Sequence, residues 1–351
     1  MKLFFDQAQL AHRPRQYMVH GRIVDPFENP DRATTLLDAL DRLGLERATP
    51  RDAGRAPILA VHAAHYVTFL EEAYARFMEL PGAGPEVLPN VSPYRGAGAD
   101  FAERGPARPK GIIGRAGWYL SGMSCAMTAD TWASAYASAQ TGIAGAEAVL
   151  AGERAAFALC RPPGHHAYAD RSAGFCYLNN AAIAAEVLRQ AFRRVAIVDF
   201  DTHHGDGTQA IFYRRADVFY GSVHTDPSDY YPHHAGYADE TGFGDGECAN
   251  LNLPLAPGAG DDAFLDANTR LALAVQAHGA EALVISAGWD AHREDPLSRL
   301  GVTTDAYPRL GEIWGKLGLP TLIVQEGGYS LAAVAEAAPA FVAAFRAAAG
   351  A

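Results

Sequence analysis

The chain has 351 residues, 49% hydrophobic and 20% charged, a composition that supports a large buried core and excludes a disordered chain. Asp and Glu outnumber Lys and Arg by 40 to 29, and the formal charge of −11 disfavours nucleic-acid binding and suits a cationic ligand. Four cysteines without close metal-type spacing predict a reduced, cytoplasmic protein, and the polar start MKLFFDQAQLAHRPR and the lack of a bilayer-length apolar run predict no signal peptide and no membrane span.

The first part of the chain is irregular. Helices are expected over Thr34–Leu43, His65–Met78 and Ala129–Ala151. Between the last two, Pro81–Pro109 is rich in Pro, Gly and Arg and predicts a long loop. From Ala155 onward, short apolar runs alternate with helical patterns. The runs are Ala155–Cys160, Val195–Asp201, Val218–His224, Ala282–Gly288 and Thr321–Gly327. Their continuous apolar character predicts strands buried on both faces of a parallel sheet. Helices are expected between them over Asn180–Phe192, Asp261–His278 and Thr304–Leu317, with a last one over Ala332–Ala349. Strand and helix in alternation define an α/β fold, read here as a single domain over residues 1–351.

Polar residues follow the strands. RPPGHH brings His165 and His166; DFDTHHGDG brings Asp199, Asp201, His203, His204 and Asp206; GWDAHREDP brings Asp290, His292 and Asp295; EGGYS brings Glu326 and Tyr329. Parallel sheets bind ligands beyond the carboxyl ends of their strands, so four clusters meet at one edge. Alternation along an extended segment would put Asp199, Asp201 and His203 on one side. With Asp290, Asp201 and His203 offer two carboxylates and one imidazole, the donor set of a catalytic zinc site that keeps a position open; ferrous iron suits it as well. His165 and His166 are candidate acid–base groups, with Asp199 and Asp206 available to orient them. The Tyr329 hydroxyl can donate to an oxygen that becomes negative.

Each cluster alone has an ordinary structural explanation. A histidine pair, a strand-end aspartate or a Gly-Gly turn is common without chemistry. His233 and His234 read as solvated loop residues, and Cys160 and Cys176 as small buried ones. The convergence of the clusters carries the functional reading.

RPPGHHA, GFCYLNNAA, VDFDTHHGDGTQ, SVH, SAGWDAHREDPL and EGGYS, in that order, resemble the histone deacetylase superfamily. The resemblance implies an arginase–deacetylase type fold, with a mostly parallel sheet of about eight strands flanked by helices. It implies zinc on Asp201, His203 and Asp290, catalytic His165, His166 and Tyr329, and Asp199 and Asp206 behind the histidines. It implies an acyl tunnel walled by Gly174, Phe175 and Tyr231; Leu297, a candidate substrate contact, departs from a polyamine-selective relative that has an acidic residue there. It also implies structural potassium on Asp199, Asp201, His203, Ser222 and Val223, and a second cation near Phe212, Arg215 and Val218.

GRIVDPFENPDRATTLLDAL and HTDPSDYYPHHAGYADETG resemble the bacterial acetylpolyamine amidohydrolase branch. That branch implies loop insertions, here about residues 15–45 and 81–128, that narrow the tunnel and support a homodimer, and a small acylated amine as substrate. Gly117–Thr131 departs from the branch: no glutamate stands where that branch has one near the tunnel mouth. An acetyl-lysine peptide deacetylase and a di-manganese ureohydrolase of the same fold are the alternatives.

Overall fold

The computed structural model describes residues 1–93 and 104–351, so part of the expected Pro81–Pro109 loop lies outside the described residues. In chain order the elements are β1 (Lys2–Phe4), β2 (Tyr17–Val19), β3 (Arg22–Val24), α1 (Pro30–Asp41), β4 (Glu46–Ala48), α2 (Ala56–Leu59), α3 (Ala64–Met78), α4 (Ile112–Tyr119) and α5 (Thr131–Leu150). There follow β5 (Ala155–Ala158), α6 (Asn180–Leu188), β6 (Val195–Asp199), α7 (Asp206–Phe212), β7 (Val218–Thr225), β8 (Asn250–Leu255), α8 (Asp261–His278), β9 (Ala282–Ala287), α9 (Ala306–Gly315), β10 (Thr321–Gln325) and α10 (Leu331–Ala349).

Eight strands form one sheet in the order β4-β1-β5-β10-β9-β6-β7-β8, and every pair in it is parallel. Successive residues of a strand face opposite sides, and both sides here are apolar. Val195, Ile197, Leu322 and Val324 enter one buried cluster, with α3, α5 and α6. Ala196, Val198, Ile323, Leu283 and Ile285 enter the other, with α1, α8, α9 and α10. This double burial is why the strands read as continuous apolar runs.

Three strands of the sheet escape the sequence reading. β1 and β4 are three residues each, and β8 carries asparagines and a proline. The β2–β3 hairpin is exposed and forms no part of the sheet. Helix α1 starts earlier than expected because Asn29 caps it and Pro30 occupies its first turn. Helix α10 is long and apolar enough to cross a membrane by length and composition, with mean hydropathy 1.5, which the sequence reading did not expect. It packs instead against α9 and α1 and buries Phe341, Val342 and Phe345.

Candidate active site

Five adjacent strands, β5, β10, β9, β6 and β7, end at one edge of the sheet, and the polar clusters lie just beyond them. β6 stops at Asp199, so Asp201 and His203 do not alternate along a strand as expected. They converge through tight bends. Asp199 Oδ1 accepts from the Asp201 amide at 3.0 Å, and Asp201 Oδ1 accepts from the His203 amide at 2.8 Å. Each carboxylate thus fixes the backbone that carries the next side chain.

Asp201, His203 and Asp290 bring one donor atom each within 4.8 Å of one another, all buried. His203 Nδ1 lies 3.0 Å from Asp201 Oδ1 and 3.3 Å from Asp290 Oδ2. The other oxygens are held by amides: Gly327 N donates to Asp201 Oδ2 at 2.8 Å, and Thr202 N donates to Asp290 Oδ1 at 3.0 Å. Asp290 Oδ2 is buried and makes no well-formed hydrogen bond among the described residues, the His203 contact being long. A side chain at Gly327 would collide with both carboxylates, its Cβ 2.2 Å from Asp290 Oδ2 and 2.4 Å from Asp201 Oδ2. Only glycine lets the EGGYS backbone come this close.

The electrostatics describe a site built for a cation. Burial, and then the neighbouring Asp201, push the Asp290 carboxyl up to about 7. Burial opposes charge on His203, but Asp201 and Asp290 outweigh it and lift the ring to about 9. A divalent ion of borderline character fits this donor set: two carboxylates balance it, and the orphaned Asp290 oxygen gains a partner.

His165 and His166 stand side by side, ring centroids 4.0 Å apart. His165 Nδ1 is 3.0 Å from Asp199 Oδ2, and His166 Nδ1 is 2.6 Å from Asp206 Oδ1. His165 Nε2 faces the carboxylates, 3.9 Å from Asp201 Oδ2. The two rings are driven apart in charge. Burial lowers both, but Asp199 and Asp201 hold His165 well above the ordinary range, while His166 falls to about 4 under burial and the His165 charge.

Tyr168, Tyr220 and Arg32 support the site although the sequence did not single them out, and Glu326 and Asp295, which it did, take supporting places. Tyr168 donates to Asp206 Oδ2 at 2.7 Å and Tyr220 to Asp199 Oδ2 at 3.2 Å, so each dyad carboxylate is held by a phenol as well. Glu326 is fully buried and accepts from the Gly164 and His165 amides at 2.7 and 3.1 Å, pinning the histidine loop to β10. Arg32 on α1 donates to the carbonyls of Glu326 and Gly328 and lies 4.5 Å over the Tyr329 ring. Asp295 Oδ2 accepts from the Tyr329 amide at 2.6 Å. Only the Gly21–Leu40 likeness pointed toward Arg32.

The residues expected to wall a tunnel also gather here. Gly174 and Phe175 both have positive φ, 49° and 67°. A Cβ on Gly174 would sit 2.2 Å from the His166 ring. Phe175 faces Tyr329 at 6.1 Å and Tyr17 at 5.1 Å, and Tyr231 meets His166 at 4.9 Å. Tyr17, from the hairpin, joins this aromatic group, a contact the sequence did not reveal. Leu297 is half-buried and accepts from Tyr230 through its carbonyl. Ser222 pairs in register with Asp199, and its hydroxyl lies 2.8 Å from His224 Nδ1; Val223 follows it on β7. Phe212 ends α7, Val218 begins β7 and Arg215 lies between, its guanidinium on Asp217 and Glu186. His292 takes no part in the cluster: its ring bonds Thr304 Oγ1 and the Glu294 amide. His233 and His234 are exposed, and Cys160 and Cys176 are buried with their thiols pushed up by burial.

The histone deacetylase domain matches residues 26–345, and the chain belongs to this family. Within it the chain falls in the acetylpolyamine amidohydrolase branch of deacetylase-type hydrolases. It is 44% identical to acetylpolyamine amidohydrolase of Burkholderia pseudomallei over 346 residues, 98% of each chain. It is 43% identical to acetylpolyamine amidohydrolase 1 of Pseudomonas aeruginosa over 336 residues, 95% of each. The crystal structure of acetylpolyamine aminohydrolase from B. pseudomallei superposes with a TM-score of 0.94 over 99% of both chains. A histone deacetylase-like amidohydrolase of P. aeruginosa is more distant, 34% identical over 94% of this chain and 82% of that one.

Proposed function

We propose that the chain removes the acetyl group from small aliphatic amines, acetylpolyamines first among them, at the site built by Asp201, His203 and Asp290. The observation that carries this is a pocket of three buried donor atoms beside two histidines, each backed by its own carboxylate. Zinc, or ferrous iron, held there would polarise the amide carbonyl and acidify a water molecule. The protein groups do the rest. Of the two histidines, His166 is the one its surroundings keep neutral, so it takes the proton from water and delivers it to the leaving amine. His165, held charged by Asp199, stabilises negative charge beside it. Burial keeps the Tyr329 phenol protonated, so it can donate to the carbonyl oxygen as that oxygen gains charge. Gly174, Phe175 and Tyr231, with Tyr17, wall the approach and favour a slender acyl-amine arm.

The substrate reading rests on the named relatives and on the acidic balance of the chain, which suits a cationic amine. A potassium ion beside the site would draw on Asp199, Asp201, His203, Ser222 and Val223, and a second cation on the turn from Phe212 through Arg215 to Val218. A homodimer would cover the hairpin, where Met18, Ile23 and Val24 are 48%, 54% and 37% exposed and Phe27 lies beside them at 37%. A reduced cytoplasmic setting suits four free cysteines.

The test is a substrate panel on zinc-loaded protein, comparing kcat/KM for acetylputrescine, acetylcadaverine, acetylspermidine, acetyl-lysine peptides and neutral acylamines. The expected result is a preference of at least ten-fold for acetylated di- and polyamines. Equal or better turnover of peptides or neutral amides would sink the polyamine assignment, and no turnover of any amide would sink the deacetylase mechanism.

A further inference from the structure

The half-buried Tyr230 lies against the site on a side the mechanism does not use. Its ring stacks on His203, centroids 4.9 Å apart and planes 16° from parallel. Its hydroxyl is 2.8 Å from His203 Nε2 and also contacts the carbonyl oxygen of Leu297. These contacts fix the proton order. A carbonyl can only accept, so the phenol proton points to Leu297. The phenol oxygen then serves His203 as an acceptor, and Nε2 must carry the ring proton. A neutral imidazole protonated at Nε2 has a bare lone pair on Nδ1, and Nδ1 is the nitrogen that faces Asp201 and Asp290.

We infer that Tyr230 is a positioning residue for the metal ligand His203, holding it in the one tautomer and ring plane that can bind an ion. The inference rests on the ion-binding reading of Asp201, His203 and Asp290 and deepens it. Metal-bound histidines generally depend on a partner at the other nitrogen, and losing that partner weakens metal binding by about 10–100-fold.

The same contact continues to the tyrosine. Leu297 N donates to Asp295 Oδ1 at 3.0 Å, and Asp295 Oδ2 accepts from the Tyr329 and Ser330 amides at 2.6 and 2.9 Å. One hydrogen-bonded run therefore links the imidazole of His203 to the backbone of Tyr329. The run passes through a residue, Leu297, whose carbonyl matters more in it than its side chain.

The experiment compares wild type with Tyr230→Phe, which keeps the stacked ring and deletes only the hydroxyl. Zinc affinity and zinc release are measured by competition with a chromogenic chelator, and melting is measured on the metal-free proteins. The expected result is zinc bound about 10–100-fold more weakly by Tyr230→Phe, while its metal-free melting stays close to wild type. Wild-type affinity in Tyr230→Phe would overturn the inference and leave the function reading standing. Wild-type protein that holds no zinc at all would overturn the ion reading itself. A second readout stands if the variant fails to fold. In zinc-loaded wild-type protein labelled with ¹⁵N-histidine, His203 should show a proton on Nε2 that exchanges slowly with water. A proton on Nδ1, or an Nε2 proton in fast exchange, would overturn the inference.

Discussion

Two of the buried polar clusters among the described residues are finished to different degrees. The Glu28–Arg32–Arg161 cluster is closed. Glu28 is 1% exposed and meets Arg32 at 2.9 Å and Arg161 at 2.8 Å, and both guanidinium groups spend their remaining donors on backbone carbonyls and the second Glu28 oxygen. The Asp201–His203–Asp290 cluster is open. It brings two carboxylates together, leaves Asp290 Oδ2 short of a well-formed hydrogen bond with His203 Nδ1 at 3.3 Å, and pushes that carboxyl up to about 7. Buried polar groups cost stability unless satisfied, so a cluster left incomplete at the carboxyl edge of a parallel sheet is a cluster meant to be completed by something that binds.

The sharpest break of this comparison swaps one oxygen for nitrogen in each cluster. Asp290→Asn should lower kcat/KM by more than about 10³-fold, because it removes an ion ligand. It should leave the metal-free protein at least as stable as wild type, because it relieves the crowding with Asp201. Glu28→Gln should do the reverse to the fold. It strands two buried guanidinium groups and should cost about 3–5 kcal/mol in denaturant melts. If Asp290→Asn destabilised the metal-free protein as much as Glu28→Gln does, the open cluster would be as structural as the closed one.

Tyr329 stands where the two clusters meet, with Arg32 over its ring and Asp295 under its backbone. Tyr329→Phe keeps the ring and its cation–π contact and loses one donor. The expected outcome is a kcat lower by about 10²–10³-fold with KM and zinc affinity little changed. A rise in KM with unchanged kcat would mean that the hydroxyl binds substrate rather than the transition state.

The sheet was legible because doubly buried strands leave continuous apolar runs, as in Val195–Asp199 and Ala282–Ala287. β1, β4 and β8 were not, since three-residue strands and Asn-Pro-containing ones have no such pattern. The site residues were legible as clusters after strand ends, yet the geometry joining them was not. Asp201 and His203 meet through bends rather than strand alternation, and Arg32 and Tyr230 are ordinary residues until the fold supplies their contacts; Glu326 stood out in EGGYS, but its hold on the Gly164 and His165 amides did not. Tyr17 is the extreme case, a half-buried residue that reaches the Phe175 ring at 5.1 Å from a hairpin the sequence reading did not expect.

Histidines draw the same contrast at smaller scale. At the open cluster His165 is held charged by Asp199 and Asp201. Away from it, His62 is a neutral structural piece: 2% exposed, its Nε2 accepts from the Asn179 amide at 2.9 Å, and burial lowers it to about 4. The sign for stability follows from which state takes up the proton. Between roughly pH 6.5, where an unfolded histidine titrates, and pH 4, the unfolded chain binds a proton that the folded chain refuses, so the contribution of His62 is whole above that window and is lost as pH falls through it. His62→Gln presents an amide oxygen to the Asn179 amide and does not titrate. It should cost stability at pH 7, and its deficit against wild type should shrink by about 1–2 kcal/mol by pH 5. Because both proteins share every other titrating group, the difference isolates this one ring. A deficit that stayed constant with pH would mean that folding leaves the titration of His62 unshifted, so that burial does not keep this ring neutral, and its contrast with the charged His165 would fall.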